Sequence, residues 1–386
     1  MDRIKLMRGW VLTVLALMLA LVLVLVGCQG TGNGADDANK VDSTGGIGSV
    51  GDTGSAGNTD RASNTGSAGD TDSAKNTGSA GDTGSIPAPV NKLQVICTLF
   101  PQYDFARYIA GDYADVTLLL SPGMEAHMYD PTPADMKKIS RSDLFIYTGD
   151  AMEGWAAQIV ESLDDTVHVL DLSGKVTLRA EEDHSENEVA YEHDDHGEDE
   201  DEHSGHHHHG GFDPHYWLDM TNAAAMAQAI GDTLAQLDPD HAEQYSKRTE
   251  AYVAQLMALD EAFFQVVQNG QRHDVVFGGR FAYSYFMARY GLDYATVYHS
   301  CSAESDPSVS DMIRVIDYID ENQTPYILYE ELSKGTVAQT IAGDAHIQTA
   351  VFTTGHNVSL EEFDQGVTFI DLMEQNLKTL ETVLND

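Results

Sequence analysis

An α/β fold of two lobes with mainly parallel sheets is predicted by three features of residues 91–386. Short apolar, partly β-branched runs alternate with helical stretches, which is the signature of βα units. The alternation restarts after residue 270, giving about four units in each half. Between the halves lies one long helical stretch, residues 241–268, without Gly or Pro.

In the first half, "KLQVICTLFP" (92–101) reads as a buried strand stopped by Pro101, and "QYDFARYIAG" as a short helix ended by Gly111. "ADVTLLLSPG" is a second strand. "PTPADMKKISRSDL" starts a helix with Thr132 as N-cap, Pro133 at the first helical position and Asp135 in the first turn. "LFIYTG" (144–149) and "VHVLDLS" (167–173) are the third and fourth strands. Residues 221–239 are helical. The stretch 241–268 carries Tyr245, Tyr252, Leu256, Leu259 and Phe263 at helical spacing. It would be roughly 40 Å long at 1.5 Å per residue. The second half runs "DVVFGG" strand, "RFAYSYFMARYG" helix, "LDYATVY" strand, "DPSVSDMIRVIDYIDENQ" helix, "PYILYEEL" strand, "KGTVAQTIAGDA" helix, "HIQTAVFTT" strand, and a closing helix from Val367. Ligands of open α/β sheets sit outside the carboxyl ends of strands. His127, Cys301, Glu330, Glu331 and His356 fall at such ends.

Ahead of these lobes, Arg3, Lys5 and Arg8 precede an uncharged apolar run from Trp10 to Val26 that ends in "LVGC". That is the tripartite shape of a secretory signal. Seventeen residues is the lower limit for a spanning helix, so a plain anchor is the competing reading. Gly27 before Cys28 resembles a lipobox, which would make residues 1–28 a lipoprotein signal peptide and Cys28 the acylated N-terminus. Either way the remainder is expected outside the cytoplasm. Residues 29–90 are Gly, Ser, Thr, Asp, Asn and Ala, with "NTGSAGDT" at 64–71 and again at 76–83. Too few large apolar residues are present to offset the entropy of ordering, so this segment is expected to be a flexible tether.

The formal net charge of −41 argues against nucleic acid and suits cationic partners. Apart from Cys28, the cysteines are Cys97 and Cys301, compatible with one disulfide or two free thiols. Residues 181–209 hold eight His (His184, His193, His196, His203, His206, His207, His208 and His209), thirteen Asp or Glu, and no Lys or Arg. Four consecutive His is short for a purification tag, and a bland solvated insertion would need none. Neutral imidazoles bind metals weakly and the acidic residues concentrate cations. The run therefore reads as an accessory, low-affinity collector.

The marks "CTLFPQYDFARYIAGD" (97–112), "SPGMEAHMYDPTPADMKKISRSDLFIYTG" (121–149), "DPHYWLDMTNA" (213–223), "YFMARYGL" (285–292) and "AESDPS" (303–308) resemble, in this order, the zinc- and manganese-binding lipoproteins of bacterial ABC importers, the cluster A-I solute-binding proteins (ZnuA/AdcA-like). The resemblance covers most of residues 92–386. It implies an N-terminal lobe (91–240, carrying the His-rich loop 181–211), a rigid connecting helix (241–270) and a C-terminal lobe (271–386), with one metal in the cleft between lobes. It also implies an ABC permease and its ATPase as membrane partners, a lipid anchor at the cell surface, and a monomer. His127 matches the family's first His ligand and His215 its second. A third His is usual in a "HDAFGYFAKRYGL"-like segment, but "GGRFAYSYFMARYGL" places Arg280 there, and Arg cannot ligate. Glu331 and His356 are expected to complete the shell, with Cys301 behind them. Glu304 and Glu330 are expected to be solvated or capping, and Arg280 could instead pair with a carboxylate across the cleft.

Zn2+ is the expected cargo, because imidazole-rich shells suit it and the His-rich loop favours it. Mn2+, which prefers oxygen ligands, is the rival cargo. No H-E-x-x-H, G-x-S-x-G or P-loop occurs, so a metalloenzyme has little support and ATP hydrolysis falls to a partner. A surface adhesin is the alternative from another class.

Overall fold

The computed structural model describes residues 92–180, 211–298 and 307–386. The expectations for the signal peptide and Cys28, the tether, all eight His of the 181–209 run, Cys301 and Glu304 lie outside the described residues.

The first lobe contains β1 (Leu93–Cys97), α1 (Phe100–Ala110), β2 (Ala114–Leu118), α2 (Pro133–Ile139), β3 (Leu144–Tyr147), α3 (Gly154–Val160) and β4 (His168–Asp171). Two helices follow, α4 (Met220–Leu237) and α5 (Ala242–Asn269). The second lobe contains β5 (Asp274–Phe277), α6 (Ser284–Tyr290), β6 (Asp293–Thr296), α7 (Val309–Asn322), β7 (Tyr326–Tyr329), α8 (Thr336–Ala345), β8 (Gln348–Val351), α9 (Leu360–Gln365) and α10 (Phe369–Asn385). Each lobe has a four-stranded, all-parallel sheet, with orders β2-β1-β3-β4 and β6-β5-β7-β8. Both sheets thus share one winding, and the carboxyl ends of their strands carry the loops of the cleft.

Local chemistry explains most boundaries. Thr132 caps α2: its hydroxyl accepts from the Asp135 N–H, and the Asp135 carboxylate accepts from the Thr132 N–H at 3.1 Å. Pro101 does not stop β1. It sits in the first turn of α1, where a missing N–H costs nothing. The helix expected from Arg280 starts only at Ser284, because the Arg280 N–H donates to the Glu330 carboxylate at 3.1 Å rather than to a helical carbonyl. Helices α3 and α9 were not expected from the sequence. The latter has a full capping box, Ser359 with Glu362, and closes at Gly366 with φ 75°.

The long helix α5 is more than a connector. Tyr245, Tyr252, Leu256, Leu259, Phe263 and Val267 are buried, and the main hydrophobic cluster runs through both lobes without a break. Phe369, at the start of α10, packs edge-on against Phe105 of the first lobe at 5.2 Å. Its amide donates to Asp104 at 3.0 Å, and Asp104 also accepts from Arg107 and from Tyr252 at 2.7 Å. Helices α4 and α5 meet at Gly231, where an added Cβ would lie 2.0 Å from the Thr249 hydroxyl. Cys97 is a free, fully buried thiol in β1, its ionisation opposed by burial.

Candidate metal centre

A cavity of about 420 Å³ opens between the lobes, lined by His127, His215 and Glu125 with Arg280, Glu331 and His356. Five chain segments supply these groups, all beyond the carboxyl ends of strands or at the entry to α4.

His215 stands in a short turn ahead of α4, and its neighbours fix that turn. The Tyr216 hydroxyl donates to the Thr148 carbonyl at 2.7 Å in the first lobe, and the Trp217 indole donates to the Thr354 carbonyl at 2.8 Å in the second. The imidazole is buried. Its Nδ1 faces the buried Asp213 carboxylate at 2.8 Å, and its own N–H donates to the same oxygen at 2.9 Å. A carboxylate only accepts, so Nδ1 carries a proton and Nε2 is left facing the cleft as the ring atom able to ligate. Burial alone would raise the Asp213 carboxyl; the His215 ring and the hydrogen bonds from His215 and Ser284 outweigh it and hold the group below its ordinary range.

His127 lies in the loop after β2. That loop is pinned by the second lobe: the buried Asn357 amide donates to the carbonyls of Ser121 at 3.0 Å and Met124 at 2.7 Å, and the Gly123 N–H donates to Val358 at 2.8 Å. The His127 and His215 Nε2 atoms are consequently 3.3 Å apart. Two nitrogens bound to one tetrahedral zinc at 2.0–2.1 Å are separated by about 3.3–3.4 Å, the edge of the tetrahedron.

His356 follows β8, after Gly355 turns the chain with φ 68°. Its ring lies 6.0 Å from that of His127 and 6.5 Å from that of His215, centroid to centroid. The Nδ1 edge meets Glu331 at 3.2 Å and the Thr354 hydroxyl. Glu331 is itself held by the Thr354 N–H at 2.7 Å and hydroxyl at 2.6 Å. On the opposite edge, Nε2 faces Glu125 Oε1 at 3.9 Å. Burial alone would lower the His356 ring, but the Glu125 and Glu331 carboxylates outweigh it and raise it to about 9. The His356 ring in turn holds the Glu125 carboxyl down at about 2.

His127, His215 and His356, all singled out in the sequence, are brought together. Ligand atoms of Glu125, His127 and His356 lie within 4.8 Å of one another. Glu331, expected as a ligand, instead sits on the Nδ1 side of His356, as Asp213 does for His215. Arg280 pairs with Glu125, Nη1 to Oε2 at 3.0 Å. Glu330 is neither solvated nor a cap: its carboxylate accepts from the Arg280 N–H, and burial raises its pKa. Glu125 and Asp213 went unmarked in the sequence analysis. Each lies two residues before a His, in "EAH" and "DPH", and that spacing was the available signal.

The family model for the periplasmic component A of the zinc-uptake complex (ZnuA) matches residues 95–383. The chain belongs to this family. Among ZnuA-family relatives, the zinc-binding lipoprotein AdcA of Streptococcus pneumoniae is 31% identical over 291 residues, 75% of this chain and 55% of the relative. The high-affinity zinc uptake system protein ZnuA of Bacillus subtilis is 30% identical over 304 residues, covering 78% of this chain and 90% of that one. The chain spans about half the length of the AdcA relatives it matches. Of solved ZnuA-like structures, the Zn(II)-bound ZnuA-like domain of S. pneumoniae AdcA aligns over 77% of this chain and 100% of that chain, with TM-score 0.62 and 27% identity. The metal-dependent lipoprotein YcdH of B. subtilis aligns over 76% and 99%, with TM-score 0.63 and 27% identity.

Proposed function

We propose that this chain is the extracytoplasmic, lipid-anchored solute-binding component of a zinc importer. It captures one Zn2+ in the interlobe cleft and delivers it to an ABC permease whose ATPase drives uptake. His127, His215 and His356 supply Nε2 ligands and Glu125 supplies the carboxylate. Asp213 and Glu331 hold the His215 and His356 rings in the ligating tautomer, and the His-rich run 181–209 gathers metal ahead of the cleft. The reading is non-enzymatic: the ion is held and released unchanged.

The observation that carries it is the 3.3 Å approach of the His127 and His215 Nε2 atoms, with a buried carboxylate on the far nitrogen of His215. The relatives' names, zinc-binding lipoprotein and zinc uptake protein, support the same cargo. Chelator-competition titration of the full chain with Zn2+ and with Mn2+ tests it. One tight zinc site with weaker manganese binding is expected. Deletion of residues 183–209 should leave that site, and His127→Ala or His215→Ala should abolish it. Tight binding that vanishes with the deletion yet survives both alanine variants would refute the cleft assignment.

A further inference from the structure

We propose that Arg280 sets the metal preference of the cleft by restricting Glu125 to a single free oxygen. The inference rests on the reading of the cleft as a zinc site and concerns how that site chooses among cations. Glu125 comes from the first lobe and Arg280 from the second, and both side chains are about one-third exposed at the cleft mouth. Glu125 Oε2 accepts from Arg280 Nη1 at 3.0 Å. Oε1 accepts from the His127 N–H at 3.2 Å and faces His356 Nε2 at 3.9 Å. The two oxygens thus have different surroundings: Oε1 turns toward the imidazoles and Oε2 is tied to a guanidinium.

A cation placed among the three rings reaches Oε1 without disturbing Arg280. Bidentate binding by Glu125 would require breaking a charge-assisted hydrogen bond, among the stronger kinds of hydrogen bond in proteins. The consequence is a shell of three nitrogens and one oxygen. Four ligands of that type satisfy a tetrahedral d10 ion, whereas manganese wants more oxygens and a higher coordination number. Arg280 is itself anchored, its N–H donating to the half-buried Glu330 carboxylate, so the guanidinium starts from a fixed backbone. An Arg at a position where a ligating His is usual therefore still takes part in metal recognition, through the carboxylate it holds. Arg280 is a positioning residue.

Arg280→Ala and Arg280→Lys in the full chain, each checked for folding by thermal unfolding, test this with two readouts. The first is the ratio of Zn2+ to Mn2+ affinity by chelator competition. In Arg280→Ala the ratio should fall about tenfold, the scale of one charged hydrogen bond. In Arg280→Lys, which keeps a donor, most of the ratio should survive. Simple loss of a positive charge, or a looser cleft, would move both affinities together and leave the ratio unchanged. The second readout is the visible spectrum of Co2+-loaded protein. Wild type should give intense four-coordinate bands, and Arg280→Ala the weaker bands of a five-coordinate ion. Should Arg280→Ala unfold, Arg280→Met, which likewise lacks a donor, replaces it with the same expected changes. A wild type with one tight zinc site and a variant with unchanged ratio and spectrum would overturn the proposal and leave the zinc reading intact. A wild type lacking any tight zinc site would instead sink the zinc reading itself.

Discussion

Replacing Asp213 by Asn isolates the contribution of an orienting carboxylate. The His215–Asp213 contact is 2.8 Å long between side chains that are 1% and 4% exposed, so water screens it little. Asn keeps the shape and can still accept from Nδ1 through its amide oxygen, but it removes the charge that makes the imidazole a better donor to metal. A hydrogen bond to a charged, buried partner contributes about 1.5–3 kcal/mol, and orienting partners of metal-bound His typically change affinity by about 10–100-fold. Those ranges agree, since about 1.4 kcal/mol is a factor of ten. Asp213→Asn should therefore weaken zinc binding by about 10–100-fold in a chelator competition at pH 7.5. The metal-free protein should lose less stability than this, because Ser284 and the His215 N–H retain an acceptor or a partner. Glu331→Gln should act in the same direction through His356. Unchanged zinc affinity in Asp213→Asn, with the fold intact, would refute the assignment of His215 as a ligand held by its carboxylate.

Three further outcomes are expected. In the metal-free protein His356 is raised from its ordinary 6.5 to about 9, so its contribution to stability is complete below pH 6.5 and is lost as pH climbs through 9. Thermal unfolding of His356→Gln without metal should lack that decline, and zinc binding by wild type should release a proton from this ring below pH 9, seen as buffer-dependent heat in calorimetry. Glu153 is buried and raised to about 7 by burial, so it costs stability progressively between pH 4.5 and 7; Glu153→Gln should flatten the wild-type loss of up to ~3 kcal/mol in denaturant titrations across that window. Gly231→Ala should destabilise by about 1–3 kcal/mol through overpacking against Thr249, and Thr249→Ala should restore most of it in the double variant; additive losses would show that the close approach is not the cause.

Much of this architecture was legible because parallel strands buried on both faces are written as continuous apolar runs, as in "LFIY" and "YILY". The long helix was equally plain, its buried Tyr245, Tyr252, Leu256, Leu259 and Phe263 falling at helical spacing. What escaped was decided by partners distant in sequence. Nothing near Arg280 announces that a carboxylate 50 residues on will take its N–H and delay the helix to Ser284. The same holds at the site. His127, His215 and His356 stand out by residue type and place. Glu125 looks like one more acid in a very acidic chain, and its contacts with Arg280, 155 residues away, and with His356 and the nearby His127 N–H give it a role. Glu331 was read as a ligand because it ends a strand beside the cleft; which edge of His356 it meets depends on the Thr354 contacts that no local pattern encodes. The capping box that starts α9, by contrast, is local and legible in "SLEE".

The bond from the Phe369 amide to Asp104 closes a loop of 265 residues, which gives the order of assembly a direction. A chain emerging from its N-terminus makes helix α1 early, yet that helix carries a buried carboxylate whose acceptors stay partly unfilled until helix α10 arrives. Closing so long a loop is entropically slow, and the reward comes only at the end. The first lobe is thus an unfinished object until α10 has cleared whatever machine delivers it. Removing the final helix would damage the start of the fold as surely as its end.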